Sequence, residues 1–547
     1  MFECRAPVIA LKDHPRMKSR SSVLVLAVAA LLLWRADFAS AQSAPEVRRG
    51  GVLAVATLNE PPHLNPAITT SGPVHTVTAS IFNGLVGLDE RANPVPELAE
   101  RWQVSDGGKT YSFSLRKDVR WHDGAPFSAA DVKFTFEEIL LKHHARTRAG
   151  LAANLAAIEV PDPHTVVFRF KQPYAPLLRR LDVIEAPILP RHLYQGKDPL
   201  TDPLNARPVG TGPFRFDKWQ RGDSIVLARN PDYFRAPRPY LDQLVFRTLP
   251  NAPAAAIAVE TQEVDFLDTV RGPEQLRLRD KKGITLTRSA AGAGGSYCIN
   301  TLIPNLRQRP LNDIRVREAI NLVIDRRFIV ERVHFGVGKP ARGPIQSSLV
   351  WFDRALPEIV PNAERAAQIL NDAGYAADRS GTRFKLRFVY AQAGFGVLAE
   401  VLKEQLRRVG IELVLEPADF NAVVERVFIK SDFDLGVASY CNGSDPDIGV
   451  KRVYHSANIL PIPFGNGAGY RNSTVDSLFD KAAQTVSDAE RQQLYAQAQQ
   501  ALVRELPYFW LVETEVDRAY RNAVKGLRVW SGNTFEEATI DDRSSKQ

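Results

Sequence analysis

A polar segment directly follows a predicted buried strand in the second half of the chain. Apolar residues alternate from Phe433 to Val437, as they do in a strand with one face in a core. Because ligands usually bind at strand ends in α/β sheets, this pattern favours a wall of a binding site, and an ordinary solvent-exposed loop is the alternative. The candidate ligand-binding residues of this segment are Tyr440, Cys441, Asn442 and Asp445.

The residue types that usually carry catalysis do not combine into a recognisable active site. The sequence has no Gly-x-Ser-x-Gly elbow, no phosphate-binding Gly-x-x-x-x-Gly-Lys-[Ser/Thr] loop and no His-Glu-x-x-His pair. An enzyme would need a nucleophile with a base in reach or a metal cluster, and no such set can be nominated. We therefore predict a protein that is not an enzyme and needs no cofactor.

The histidines do not show the spacing of metal ligands. His143 and His144 are adjacent, so that their rings would point to different sides of a helix, and we interpret both as solvated side chains. His63, His75 and His122 also lack ligand spacing. No metal site is predicted.

The N-terminus predicts export. Lys18 and Arg20 precede the uncharged run 23–34, and Ala39-Ser40-Ala41 follows as a small-residue cleavage site. The apolar run is about 12 residues, whereas a membrane-spanning helix needs roughly 20. Residues 1–41 are therefore predicted to be a signal peptide of a periplasmic protein. Residues 1–16 are either a misplaced start or a real extension.

Cysteine content and charge narrow the class of protein further. Removal of residues 1–41 leaves Cys298 and Cys441, which could pair in an oxidising compartment but lie far apart in sequence, and we predict free thiols.

The same cleavage removes six basic and three acidic residues, so that the net charge falls from +8 to +5. The basic residues are interspersed with acidic ones, which argues against nucleic-acid binding.

Local patterns predict strands in the first half and α/β units in the second. Residues 111–115 and 166–170 alternate as half-buried strands, and Ser128 with Asp131 resembles a capping box that begins a helix between them. Further on, leucines recur every four residues from Leu398 to Leu406, and an alternating strand pattern begins after Gly410. The mature chain of about 500 residues is too long to be built on one hydrophobic core, which predicts two or three domains.

A series of segments in the mature chain resembles one protein family in both composition and order. The segments are Pro62-His63-Leu64-Asn65-Pro66, Phe82-Asn83-Gly84-Leu85-Val86, the run 96–102, the run 209–214, the run 310–320, Asp445-Pro446-Asp447 and Tyr470-Arg471-Asn472. They are similar to the dipeptide, oligopeptide and nickel branch of the periplasmic solute-binding proteins that serve ABC importers. The similarity covers nearly all of the mature chain, although most of the matched positions have structural explanations.

The resemblance implies an α/β, bilobed periplasmic-binding-protein fold of type II, with an extra subdomain and a hinge between two lobes. We expect lobe I with the extra subdomain at 46–298, lobe II at 299–511 and a C-terminal return to lobe I at 512–547. The implied function is capture of a peptide-like or modified amino-acid solute by a monomer that delivers it to an inner-membrane ABC permease. A metal chelate of the nickel type or a sugar conjugate is the alternative solute. The resemblance also makes Ser71 and Gly72 candidate ligand-binding residues.

The sequence departs from the peptide-binding members at two positions. Those members resemble one another in placing an Asp where this chain has Asn442, three residues before Asp445, and its carboxylate pairs with the peptide ammonium. Dipeptide-binding members also place an Arg in the loop that matches 390–396, and this loop contains no basic residue. Because a charge-assisted hydrogen bond is roughly twice as strong as a neutral one, we predict weak binding of free dipeptides. Asp445 or Asp447 could supply the missing charge instead.

Overall fold

The computed structural model describes residues 48–270, 272–289, 297–528, 532 and 534–541. The predicted signal peptide lies outside these ranges. Within the described residues, no helix is long and apolar enough to cross a membrane.

The strands and α-helices follow one another along the whole described chain. The strands are β1 (Val52–Thr57), β2 (Val86–Leu88), β3 (Pro94–Pro96), β4 (Ala99–Ser105), β5 (Thr110–Leu115), β6 (Leu155–Asp162), β7 (Thr165–Phe170), β8 (Phe214–Gln220), β9 (Ser224–Arg229), β10 (Gln243–Thr248), β11 (Phe266–Val270), β12 (Ile284–Ser289), β13 (Cys298–Pro304), β14 (Lys339–Pro340), β15 (Phe384–Ala391), β16 (Ile411–Ala418), β17 (Leu435–Cys441), β18 (Phe509–Glu513), β19 (Val516–Arg521), β20 (Val524–Lys525) and β21 (Thr539–Ile540). The α-helices are α1 (Gly72–Thr78), α2 (Ala129–Phe134), α3 (Leu141–His143), α4 (Ala145–Leu151), α5 (Arg191–Tyr194), α6 (Ala252–Glu260), α7 (Pro273–Arg279), α8 (Ile314–Val323), α9 (Arg326–Arg332), α10 (Ala363–Asp372), α11 (Gln392–Arg407), α12 (Phe420–Val424), α13 (Pro446–Gly449), α14 (Lys451–Tyr454), α15 (Ser473–Gln484) and α16 (Asp488–Glu505).

Two large mixed sheets organise the chain. The first has the order β12-β19-β11-β1-β10-β9-β8, with β1 parallel to β10 and β11. The second has the order β14-β18-β13-β17-β15-β16, with β15 parallel to β16 and β17. A separate four-stranded antiparallel sheet has the order β4-β5-β7-β6. We call the part built on the first and the four-stranded sheets lobe I, and the part built on the second sheet lobe II.

The chain crosses between the two large sheets more than once. It leaves the first sheet after β12 and enters the second at β13, and it returns between β18 and β19. The two lobes are therefore joined by separate connections, which is the arrangement that a hinge needs. The boundaries 46–298, 299–511 and 512–547 stay predictions.

Aromatic packing holds the four-stranded sheet to the helix that crosses it. Phe113 and Phe168 on neighbouring strands are fully buried and meet edge to face, with ring centroids 5.8 Å apart. Phe136, in the helical turn that continues α2, meets Phe168 at 5.0 Å. The helix begins with a capping box formed by Ser128 and Asp131. These contacts confirm the predicted strands and the helix between them.

The α/β unit of lobe II also forms where the leucine pattern predicts it. Leu398, Leu402 and Leu406 of α11 are buried against β15 and β16. Gly410 has φ +77°, which a residue with a side chain adopts only at a cost, and the chain turns there into β16.

Cys298 and Cys441 form a disulfide, so the prediction of free thiols is wrong. Cys298 is the first residue of β13 and Cys441 is the last residue of β17. The antiparallel pairing of these two strands places the two cysteines directly opposite each other. Their sequence separation of 143 residues hid this pairing, since only the sheet register brings them together. The disulfide fastens the strand that enters lobe II to the strand that leads into the Asn442–Asp445 segment.

Candidate functional site

The Asn442–Asp445 segment is held in place by buried polar contacts of its own. Asn442 is 2 % exposed, its Oδ1 accepts from the Gln346 N–H at 2.8 Å, and its Nδ2 donates to the Pro344 carbonyl at 3.1 Å. The amide therefore ties the segment to residues 344–346 of lobe II. That Asn442 also contacts the solute stays a prediction.

Asp445 is fully buried in an ion pair rather than open to a solute. The Arg491 Nη2 donates to both of its carboxylate oxygens, at 2.7 and 2.9 Å, and the Tyr495 hydroxyl donates at 3.3 Å. The same carboxylate accepts from the Asp447 N–H at 3.0 Å and so begins α13. Because these contacts use both oxygens, Asp445 is not placed to supply the charge that peptide-binding relatives take from the position of Asn442.

Asp447 is also neutralised by neighbouring side chains, and its partners come from both lobes. Arg180 of lobe I donates to its carboxylate at 3.1 Å, and the Tyr174 hydroxyl donates at 2.7 Å. Lys451 of α14 approaches the same carboxylate at 3.6 Å. Asp447 therefore joins the lobes directly. Asp445 and Asp447, the two candidates for the missing negative charge, are therefore both paired with arginines of the protein itself.

Further hydrogen bonds cross between the lobes beside Asp447. Ser444 donates to the Arg179 carbonyl at 3.1 Å, and Arg179 pairs with Asp488 at 2.8 Å. The Arg179 guanidinium also lies over the ring of Trp351, 4.9 Å from its centroid. The segment that follows β17 is therefore an interlobe contact surface. This is a different placement from an ordinary solvent-exposed loop.

Ser71 and Gly72 lie at the start of α1 in lobe I. Ser71 is the residue before the first helical turn and is half-buried, and Gly72 is exposed. His75 on the same helix is 3 % exposed, and its Nε2 donates to the Thr69 carbonyl at 3.2 Å, which leaves Nδ1 as an acceptor. Burial, reinforced by the charge of Arg146, lowers the pKa of His75 to about 3. The ring is therefore neutral at physiological pH.

His144 is buried, so its interpretation as a solvated side chain is wrong. It is 0 % exposed, and its Nδ1 lies 2.7 Å from the Thr147 hydroxyl at the start of α4. Burial and the charges of Arg146 and Arg180 lower its pKa to about 3. The i, i+1 pattern correctly separates it from His143, but it carries no information about which ring enters the core.

A set of polar side chains from both lobes meets beside these residues. Arg146 of α4 pairs with Glu185 at 3.1 Å, and both are largely buried. Arg452 of α14 lies close enough that the charge of Arg146, after burial, lowers its pKa, while Tyr440 and Glu185 oppose that shift. We call His75, Arg146, Glu185, Tyr440 and Arg452 the interlobe polar cluster.

Tyr440 is the member of the cluster that the sequence predicted. It is 4 % exposed near the end of β17, and its ring meets those of Phe428 and Tyr508 edge to face. Cys441, the next residue, is in the disulfide and so cannot act as a free thiol.

Several buried polar atoms in this region have no hydrogen-bond partner among the described residues. They are His75 Nδ1, His144 Nε2, Arg146 Nε, Arg180 Nε, Glu185 Oε2 and the Tyr440 hydroxyl. Arg452 donates through Nε to the Gly449 carbonyl at 3.3 Å and makes no ion pair in the described part of the chain. Because buried polar groups are normally satisfied, these atoms are the ones that a bound polar molecule would engage. Within the same ranges, no three His, Cys, Asp or Glu side chains lie together in a way that could hold a metal ion.

Sequence reasoning missed most of the cluster. Arg452 could have been found, because it follows the Asp-Pro-Asp run by five residues, on the turn that this run begins. Arg146 and Glu185 carry no local signal, since they lie on different segments of lobe I and only tertiary packing brings them together.

Comparison with known proteins defines the class of this chain. Residues 93–460, more than half of the chain, match the model of the bacterial extracellular solute-binding proteins, family 5 (Middle). The glutathione-binding protein GsiB of Salmonella choleraesuis (strain SC-B67) is 28% identical over 476 residues, which are 85% of this chain and 90% of the relative. The oligopeptide-binding protein AppA of Bacillus subtilis (strain 168) is 29% identical over 494 residues, 86% of this chain and 87% of the relative.

A solved structure shows the same architecture. The periplasmic binding protein DppA from Helicobacter pylori, in complex with the peptide STSA, superposes with a TM-score of 0.76 at 26% identity, covering 90% of this chain and 99% of that chain. The chain therefore belongs to the family 5 extracellular solute-binding proteins and has their bilobed fold.

Proposed function

We propose that this protein, after export to the periplasm, captures a peptide-like or modified amino-acid solute between its lobes and delivers it to an inner-membrane ABC permease. The observation that carries the proposal is the interlobe polar cluster, because it draws side chains from both lobes and contains buried polar atoms without a partner in the described residues. Family membership supports the same role, and the relatives described above bind glutathione or peptides.

The proposed mechanism is closure of the lobes around the solute. The contacts of Asp447 with Tyr174 and Arg180 join the lobes next to the cluster, and they can form only when the lobes approach. A solute that engages both lobes favours this closed arrangement, since it adds contacts that an open arrangement lacks. The permease would then distinguish the loaded protein by its closed shape. The protein acts as a monomer, performs no catalysis and binds no nucleic acid.

Native mass spectrometry followed by calorimetry tests this function. A small molecule released from the freshly purified protein, identified by its mass, is titrated into the wild type, Glu185→Gln of lobe I and Tyr440→Phe of lobe II. We expect both variants to weaken binding at least about fivefold, because Glu185→Gln replaces a charged acceptor oxygen by an amide nitrogen, Tyr440→Phe removes a hydroxyl, and a hydrogen bond contributes about 1 kcal/mol. The control Glu400→Gln, exposed on α11, should bind as the wild type does.

The outcome separates the proposal from its alternatives. Unchanged affinity in both variants would contradict capture between the lobes. A released metal chelate or sugar conjugate would keep the interlobe mechanism and replace the peptide-like solute by the alternative class.

A further inference from the structure

We propose that Arg452 binds a carboxylate of the solute, and that this protein therefore selects a solute that bears one net negative charge together with an N–H donor. The inference rests on the proposed capture between the lobes and adds the chemical class of the molecule captured. The structure shows that residues 390–396 are not the expected loop but the end of β15 and the start of α11, and they contain no basic residue that could hold a carboxylate.

Among the described cations at the junction of the lobes, Arg452 is the one without a carboxylate partner. The neighbouring cations each have a carboxylate in the described residues: Arg146 with Glu185 at 3.1 Å, Arg180 with Asp447 at 3.1 Å and Lys451 with Asp480 at 2.8 Å. Arg452 has no such carboxylate within the described ranges, and it is only partly buried. These side chains together therefore leave one positive charge that a solute can neutralise.

The guanidinium of Arg452 keeps both of its terminal nitrogens free of hydrogen bonds to the described residues. Its Nε donates to the Gly449 carbonyl, in the last turn of α13, at 3.3 Å. A carboxylate accepts two parallel hydrogen bonds from such a fork, and this geometry distinguishes it from an amide or an ester.

Arg146 strengthens the preference for an anion. Arg180 donates both to the Arg146 carbonyl and to Asp447, which places Arg146 beside the turn that carries Arg452, and the charges of the two arginines interact. The Arg146 Nε is buried without a partner in the described chain. Two like charges in a partly buried region repel each other, and an anion that approaches both relieves the repulsion. Glu185 offsets only one of the two charges. A monoanionic solute leaves these three side chains electrically balanced, whereas a zwitterion leaves one positive charge over.

Two further unpartnered atoms of the cluster, both acceptors, specify the second group of the solute. Glu185 Oε2 is an acceptor, and His75 Nδ1 is an acceptor because Nε2 donates to the Thr69 carbonyl. The two residues are close enough to interact electrostatically. Both would be satisfied by N–H groups, such as those of a peptide bond or an acylated amine.

Matched peptide libraries test the inference directly. Three mixed-sequence dipeptide libraries are compared by native mass spectrometry and calorimetry: free dipeptides, N-acetyl dipeptides with a free carboxylate, and N-acetyl dipeptide amides. Glutathione, which carries a net charge of −1 at neutral pH, is measured as a single compound. We expect the N-acetyl acids and glutathione to bind at least about tenfold more tightly than the free dipeptides, and the amides to bind weakest.

Variants assign the effect to Arg452. Arg452→Ala should weaken binding of the N-acetyl acids by about tenfold to a hundredfold and leave binding of the amides nearly unchanged. Arg452→Lys should recover part of the loss, since it restores the charge but not the fork. Arg407→Ala, which removes an exposed cation on α11, is the matched control and should behave as the wild type.

Three outcomes would overturn the inference. They are equal affinity for acids and amides, acid binding that survives Arg452→Ala in a variant with unchanged melting temperature, and no binding of any anionic member. If the neutral libraries bound instead and Glu185→Gln or Tyr440→Phe weakened that binding, interlobe capture would stand and only the charge assignment would fall.

Discussion

The ion pair between Asp445 and Arg491 shows how a residue that the sequence suggests for ligand binding can serve the fold. Both side chains are fully buried, and each is the other's closest partner. Removing one partner of such a pair costs about 3–5 kcal/mol, because the other charge stays buried alone. Charge reversal at Asp445 would therefore change stability before it reported on affinity, and Tyr440→Phe is the better probe of this segment.

The environment of His122 fixes the protonation state of its ring. His122 is half-buried, its Nε2 donates to the Gly212 carbonyl at 3.0 Å, and its Nδ1 accepts from the Gly210 N–H at 3.2 Å. Protonation would place a second proton on Nδ1, where the Gly210 N–H already points. Burial lowers the pKa of His122 to about 4, despite the favourable hydrogen bond to Gly212.

We predict that His122 makes the protein sensitive to acid. The unfolded chain protonates this ring near pH 6.5, whereas the folded chain resists protonation until about pH 4. The free energy of unfolding should therefore be full above pH 6.5 and fall by about 3 kcal/mol between pH 6.5 and 4 through this residue alone. Urea titrations at several pH values measure it. His122→Asn should make the slope less steep, with the remaining slope coming from His75 and His144, and His143→Asn should leave the slope unchanged. An equally steep slope in His122→Asn would refute the assignment.

At the scale of secondary-structure elements, the sequence predicts a helix correctly where a capping residue or a regular spacing of apolar residues marks it. The predicted capping box of Ser128 and Asp131 begins α2, and the leucines from Leu398 to Leu406 form the buried face of α11 that their spacing predicts. The facing of helices toward one another was not predictable in this way. His144 is buried at the start of α4 beside Thr147, whose hydroxyl donates to the Glu185 carbonyl, and no helical pattern encodes this tertiary contact.

The disulfide is the element-scale feature with the clearest consequence for stability. It closes a loop of 143 residues between β13 and β17, so that it restricts the unfolded chain strongly. We predict that the chain without residues 1–41 has no titratable thiol in its native state, and that reduction lowers its free energy of unfolding by about 2–5 kcal/mol. Iodoacetamide labelling and urea titration with and without reductant measure both quantities.

A matched variant controls the disulfide experiment. The double change Cys298→Ser and Cys441→Ser should have the stability of the reduced wild type and should not respond to reductant. Two labelled thiols in the unreduced wild type would contradict the pairing.

At the scale of the whole molecule, the sequence resemblance predicted the family and the bilobed fold, and both are confirmed. Most of the site was not predictable, because its charged members lie on α4, on the loop around Glu185 and on α14, and they meet only when the lobes pack. Asn442 illustrates the limit, since its difference from peptide-binding relatives was visible in sequence while its contacts with residues 344–346 were not.

The account of function depends on closure of the two lobes. Asp447, Arg179 and Ser444 join the lobes beside the polar cluster, and a solute held by Arg146 and Arg452 would draw the same surfaces together. A ligand that binds only the folded state raises the free energy of unfolding by about 2.7 kcal/mol at a hundredfold excess over the dissociation constant. The melting temperature rises with it. Melting temperature alone does not report a change of shape.

Small-angle X-ray scattering of the protein with and without saturating solute tests closure most directly. The solute is the molecule released from the purified protein and identified by mass, and saturation is verified by calorimetry on the same sample. The account predicts a smaller radius of gyration in the saturated wild type, and a saturated Glu400→Gln control that compacts equally. An unchanged radius of gyration in a solute-free sample that becomes fully saturated would contradict capture by closure of the lobes.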